Sequence, residues 1–99
     1  MILIMQHSVR DFDAWQRFFE ANEQLRVKYG GLGHTLYREI DEPNNITLAI
    51  RFESRERAEE FARSAELAEA MKTAGVVTQP RVWWVQRVED LTYAGSKAA

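Results

Sequence analysis

The chain has 99 residues, 45% hydrophobic and 28% charged, with a formal net charge of -2. That is enough for one domain with its own core and too little for two. The 13 Lys and Arg are interleaved with 15 Asp and Glu, so there is no basic stripe for nucleic acid. The lack of cysteine excludes disulfides, thiolate nucleophiles and cysteine-held metal centres, and no apolar run approaches the roughly 18 residues of a membrane span. The expected setting is cytoplasmic, with neither membrane nor nucleic acid as partner.

Ile2 to Val9 is apolar and β-branched, and predicts a well-buried strand rather than a leader peptide. Asp11 stands where a helix cap belongs, with Asp13 in the first turn. Phe12, Trp15, Phe18, Phe19, Leu25 and Tyr29 then recur at helical spacing and predict one helix with a broad apolar face, stopped at Gly30 and Gly31. His34 to Ile40 and Ile46 to Glu53 read as two strands joined through the turn-forming Asp41-Glu42-Pro43-Asn44-Asn45, an antiparallel hairpin. Ile46, Leu48, Ile50 and Phe52 share one of its faces.

Ser54 can cap a second helix, in which Ala58, Phe61 and Ala65 share a face. Leu67, Met71 and Ala74 fall on a different stripe, which predicts a break near Ser64, and Gly75 ends the helix. A last strand spans Arg81 to Val88. Residues 1–90 are expected to form the domain and residues 91–99 a loose tail. The order β-α-β-β-α-β predicts an α+β, ferredoxin-like fold with an antiparallel sheet and right-handed crossings. Two helices cover only one sheet face, yet both parities of the first and last strands are apolar: Ile2 and Ile4 alternate with Leu3 and Met5, and Trp83 with Trp84. A second copy of the chain is the economical cover for the other face.

Val9-x-Asp11-Phe12-x-Ala14-Trp15-x-x-x-Phe19, Gly33-His34-x-Leu36-x-Arg38 and Asp41-x-Pro43-Asn44, with Phe61, Leu67, Met71 and Ala74-Gly75-Val76, resemble small bacterial proteins of the dimeric α/β barrel superfamily. Distant relatives there include antibiotic-biosynthesis monooxygenases and polyketide-cyclase-like enzymes. The resemblance spans roughly residues 2–88. It implies a homodimer in which two sheets face each other as a barrel, and a pocket in each subunit between sheet and helices. Haem-degrading relatives use an Asn on the first strand. Gln6 and His7 stand here instead, so that activity is not carried over.

The candidate chemistry is sparse. His7 and His34 are the only histidines, and they belong to strands that this fold does not make neighbours, so no metal site is expected. His34 can serve as a general base near neutral pH, or simply hydrogen-bond the glycine-rich turn. Arg38 and Arg51 can grip an anion together, or pair with nearby acids. Asn22 can point an amide into a pocket or mark the edge of the apolar face. The glycines at 30, 31 and 33 follow a helix and enter a strand, the reverse of a phosphate loop. One indole of Trp83-Trp84 falls on each sheet face, as core or interface anchors.

The pocket is therefore expected between the first helix and the sheet, lined by Trp15, Phe19, Asn22, His34 and Arg38, with His34 as the catalytic residue and Tyr37 on the opposite face. The expected function is an enzyme acting on an aromatic or polyketide-like compound without a tightly bound cofactor, monooxygenase- or cyclase-like. The alternative is a non-catalytic dimeric module that binds a small hydrophobic ligand or acts as a scaffold.

Overall fold

Four strands and four helices alternate as β1 (Ile2–Ser8), α1 (Phe12–Ala21), α2 (Glu23–Lys28), β2 (Gly31–Arg38), β3 (Asn45–Phe52), α3 (Arg55–Arg63), α4 (Ala65–Ala74) and β4 (Arg81–Val85). The computed structural model describes residues 1–95; the end of the expected tail, residues 96–99, lies outside the described residues. The strands form one antiparallel sheet in the order β2-β3-β1-β4. With α1–α2 and α3–α4 each counted as one interrupted helix, this is the expected ferredoxin-like α+β plan.

Strand parity decides what is buried. Leu3, Met5 and His7 of β1 face the helices, with Ile46, Leu48, Ile50 and Phe52 of β3 on the same side, all buried. Phe61 and Ala58 of α3 and Leu67 of α4 close over Leu3, Met5, Leu48, Ile50 and Phe52. A second cluster, Val9, Phe12, Trp15 and Ile46, lies toward the start of α1. Trp84 is paired with Leu3 on the helix side, and Trp83 with Ile4 on the other, so the two indoles do take opposite faces. The far face carries Ile2, Ile4, Thr35, Tyr37, Thr47, Ala49, Trp83 and Val85, none of them buried.

The helix ends follow side-chain chemistry. Asp11 Oδ2 accepts from the Ala14 amide at 3.0 Å, Ser54 Oγ from Arg57 at 3.2 Å and Ser64 Oγ from Leu67 at 3.1 Å. Ser64 is thus the break expected from the shifted apolar stripe. Gly75, at φ 85°, takes the left-handed conformation that closes α4. The first helix is not continuous. It breaks at Asn22 (φ -105°, ψ 25°), whose amide bonds Phe19 O at 3.2 Å, and α2 starts anew at Glu23. A uniform apolar face hides such a break, because the stripe continues in phase across it.

Strand limits shift for reasons of pairing. β2 begins at Gly31, opposite Phe52, three residues before the expected start. β4 ends at Val85 rather than Val88, because its partner β1 begins at Ile2, opposite Val85. Beyond β4, residues 86–95 form no helix or strand, and Val88, Leu91 and Tyr93 are exposed. Gly31 is needed by packing: a Cβ there would lie 2.7 Å from Arg26 O, so only glycine lets β2 start against α2.

Phe61 is 2% exposed and touches both Phe52 and Tyr29. Phe61→Ala should therefore cost about 3–5 kcal/mol in urea unfolding; a loss below about 1 kcal/mol would show that the cluster can collapse around the void.

Candidate functional site

The helix layer does not close completely over the sheet. A cavity of about 50 Å³ remains between α1–α2, α4 and the middle of β1 and β3. Trp15, Phe18, Phe19 and Asn22 line it from the first helix pair, Met71 from α4, and His7 from β1. Phe18, Asn22, Leu25 and Ala70 also line an open groove of about 820 Å³ between α1–α2 and α4. These four residues form the neck between groove and cavity. A dry cavity that holds benzene is about 150 Å³, so an aromatic ligand needs the groove as well as the cavity, or a shift of the neck. At the outer end Lys28 Nζ and Tyr29 OH donate to Glu66 at 2.8 Å and 2.7 Å, joining α2 to α4. The pair is exposed and contributes little to stability.

Aromatic rings build the wall. Trp15 and Phe19 stack at 4.9 Å and 16°. His7 meets Trp15 edge-on at 6.0 Å, and the Arg26 guanidinium covers Phe19 at 3.7 Å from the ring centre. Their spacing follows from β1 parity at one end and from the break at Asn22 at the other, which turns α2 so that Arg26 folds back over Phe19. Arg26 Nη1 donates to Phe19 O at 3.0 Å, the same carbonyl that receives the Asn22 amide.

His7 is 7% exposed, and its Nδ1 is buried without a hydrogen-bond partner among the described residues. Burial pushes its pKa down to about 4, so the ring is neutral at physiological pH. Buried nitrogens are seldom left unpaired, so this one is a local cost of the packing. The sequence assigns His7 neither a metal nor a haem-degrading role. Its burial follows from its parity with Leu3 and Met5, and that parity was the available signal.

The residues expected to share one pocket are divided. Trp15, Phe19 and Asn22 line the cavity together. His34 and Arg38 do share the helix-side face of β2, and Tyr37 takes the other, but neither His34 nor Arg38 reaches the cavity; that placement is corrected. β2 is an edge strand, and Phe19 stands between His34 and the interior, the two rings meeting edge-on at 4.8 Å. His34 instead lines a groove of about 190 Å³ between α2 and β2, with Glu23, Arg26 and Leu32. Partial burial, then Arg26 and Arg51, hold its pKa below the ordinary histidine value. Arg38 lies over the Phe12 ring at 4.0 Å and donates to Pro43 O at 3.2 Å, which holds the hairpin loop. Arg38 and Arg51 do not converge either: Arg51 pairs with Gly33 at the opposite end of the hairpin and occupies the other sheet face. Arg26, the second buried polar residue, escaped the sequence reading because a lone Arg in a helix carries no signal of burial.

Among the described residues, no cluster of His, Asp and Glu is arranged for a metal, and no helix is long and apolar enough to cross a membrane.

No protein-family model matches the chain, and no match is found among curated proteins. Solved structures do match in fold. A protein of Bordetella bronchiseptica designated an antibiotic biosynthesis monooxygenase superposes with a TM-score of 0.65 at 24% identity, over 89% of this chain and 96% of its own. SnoaB of Streptomyces nogalater, a cofactor-independent oxygenase, gives 0.67 at 13% identity, over 90% and 96%. A Streptomyces coelicolor monooxygenase in complex with nanaomycin D gives 0.65 at 19%, over 93% and 91%. The chain thus shares the fold of these solved structures.

The buried His7 predicts how stability depends on pH. Its folded pKa lies below that of an unfolded histidine, so below about pH 6.5 the unfolded chain takes up a proton that the folded chain refuses. This contribution is complete above that pH and is lost as pH falls toward 4. Between pH 7 and pH 5 it amounts to about 2 kcal/mol. Urea unfolding at the two pH values should show that loss, and His7→Gln should remove it; equal pH dependence in the variant would show that His7 is not the group responsible.

Proposed function

We propose that the protein is a monooxygenase-like enzyme that binds a small aromatic or polyketide-like molecule in the helix groove, with one ring reaching the cavity, and oxidises it without a tightly held cofactor. The observation that carries this reading is the aromatic wall of Trp15 and Phe19 beside two polar groups, Asn22 at the neck and the unpartnered His7 within. Pockets that are mostly apolar, with a few placed polar groups, are the usual form of a small-molecule site. The fold supports the reaction class by analogy, since two of the structural neighbours are a cofactor-independent oxygenase and a monooxygenase holding nanaomycin D.

In such a reaction an activated ring CH2 becomes C=O while O2 supplies that oxygen and leaves as one water. The four electrons come from the substrate, so atoms and charge balance without another reductant. The chain's part is to bind the ring against Trp15 and Phe19, orient it by the Asn22 amide and the His7 nitrogen, and keep bulk water out. His7 is a poor base, because burial disfavours its charged form. His34 lies outside the cavity, so the substrate's own acidity has to supply the carbanion.

The same reading includes a homodimer. The face with Ile4, Ala49, Tyr37 and Trp83 has no cover among the described residues, and Val88, Leu91 and Tyr93 are exposed beyond it. A second copy packed there would bury more than ~1,000 Å² in total, the lower bound for a specific interface. Sedimentation at micromolar concentration should give a dimer, and Ile4→Asp a monomer; a stable wild-type monomer would refute the pairing.

The enzymatic claim is tested with oxygen-18 gas and a panel of polyketide-like phenols and ketones, nanaomycin D serving as the binding probe. One labelled oxygen should enter a product, and Asn22→Ala should lower kcat/KM at least tenfold, ~1.4 kcal/mol, without loss of fold. Tight binding with no labelled product from any substrate would favour the non-catalytic ligand-binding module instead.

A further inference from the structure

Arg26 of α2 is buried without a partner for its charge: it is 7% exposed, yet it forms no ion pair among the described residues. The guanidinium's one hydrogen bond among the described residues is to a neutral carbonyl, Phe19 O, and its planar face lies on the Phe19 ring. A buried charge is ordinarily paired, because removing it from water is costly and a neutral acceptor returns only part of that cost. Arg26 also lines both spaces at once, the cavity on one side and the α2–β2 groove on the other. Several of its five N–H donors therefore stay available toward a ligand. Gly31 reinforces the arrangement, since the tight approach of β2 to the Arg26 backbone fixes where the side chain starts.

The groups around Arg26 set its preference. Glu23 on α2 raises its pKa, opposing the effect of burial, but makes no ion pair with it. His34 on β2 faces it across the groove and is disfavoured from charging by Arg26 itself. On the cavity side, the neighbours are aromatic or apolar apart from Asn22 and the neutral His7.

Resting on the function proposed above, we infer that Arg26 is an oxyanion-recognition residue, and that the ligand is an acidic aromatic bound through an ionised hydroxyl. A phenolate or enolate oxygen accepts from the guanidinium while its ring lies against the aromatic wall. By linkage, a residue that binds the ionised form better than the neutral one lowers the bound ligand's pKa by the same factor. The same preference would favour the carbanion that the proposed oxidation requires, since its negative charge resides largely on that oxygen.

The test uses para-nitrophenol, whose ionisation is visible in its absorbance, and para-nitroanisole, which has the same ring and cannot ionise. Wild-type protein should bind the phenolate at least tenfold more tightly than the ether, and the bound phenol should titrate at least one pH unit below the free one. Arg26→Met should abolish both differences, and Arg26→Lys should retain part of them because charge remains while the planar fork is lost. The wild-type comparison alone decides the matter if the methionine variant fails to fold. Equal affinity for phenolate and ether with an unshifted titration would overturn the inference and leave the proposed function standing. An unchanged shift in a folded Arg26→Met would move the anion site elsewhere and overturn it too. Binding of neither probe would overturn it together with the aromatic-ligand reading beneath it.

Discussion

One sheet face has to be sealed by four short helical pieces, and the rest of the molecule is arranged around that demand. A twisted sheet is not a flat floor, and a straight helix of 17 residues (12–28) or 20 residues (55–74) would diverge from it at one end or the other. Both helical segments are interrupted instead, at Asn22 and at Ser64. The halves then pack on the sheet separately: α3 and α4 close over Leu3, Met5, Leu48, Ile50 and Phe52, α1 over Ile46, and α2 beside β2. The breaks are held by polar chemistry, Ser64 by its own hydroxyl cap and Asn22 by the Arg26 guanidinium on Phe19 O.

The candidate site is the place where this sealing is incomplete. Apolar side chains from α1, α2 and α4 meet over Met5 and Leu48 but leave a small void, and the void inherits whatever the sheet and helices direct into it. β1 directs His7 there by parity. The break directs Asn22 to the neck and lets Arg26 fold back. Each polar group is thus placed by a backbone feature that also serves the fold, while its own polarity disfavours burial. Two buried polar residues, one with an unpaired nitrogen and one with an unpaired charge, lower stability unless something else in the cavity answers them. Sites of function are where such local costs are expected to persist.

The two sheet faces divide the work. The helix side carries the cavity, and the opposite side, with Ile2, Ile4, Ala49, Trp83 and Val85, is uncovered among the described residues. Occupation of one does not obstruct the other, so pairing through the bare face is compatible with ligand entry through the groove between α1–α2 and α4.

The one-dimensional pattern was sufficient for the fold. Alternation in Ile46 to Phe52, the caps Asp11, Ser54 and Ser64, and the left-handed Gly75 are local, so the signals and the structures they specify lie within a few residues of each other. Part of the site was legible for the same reason: Trp15, Phe19 and Asn22 share a helical face and reach the same cavity. What stayed hidden depends on contacts between distant residues. His34 and Arg38 have the parity expected of them, but β2 lies at the sheet edge and Phe19 screens it from the interior, a fact of strand order rather than spacing. Arg26 looks like any exposed helical arginine until Asn22 breaks the helix and Gly31 draws β2 against it. Periodicity determined which residues turn inward together. Only tertiary packing decided which of them would meet, because burial of a polar group depends on neighbours that no local spacing encodes.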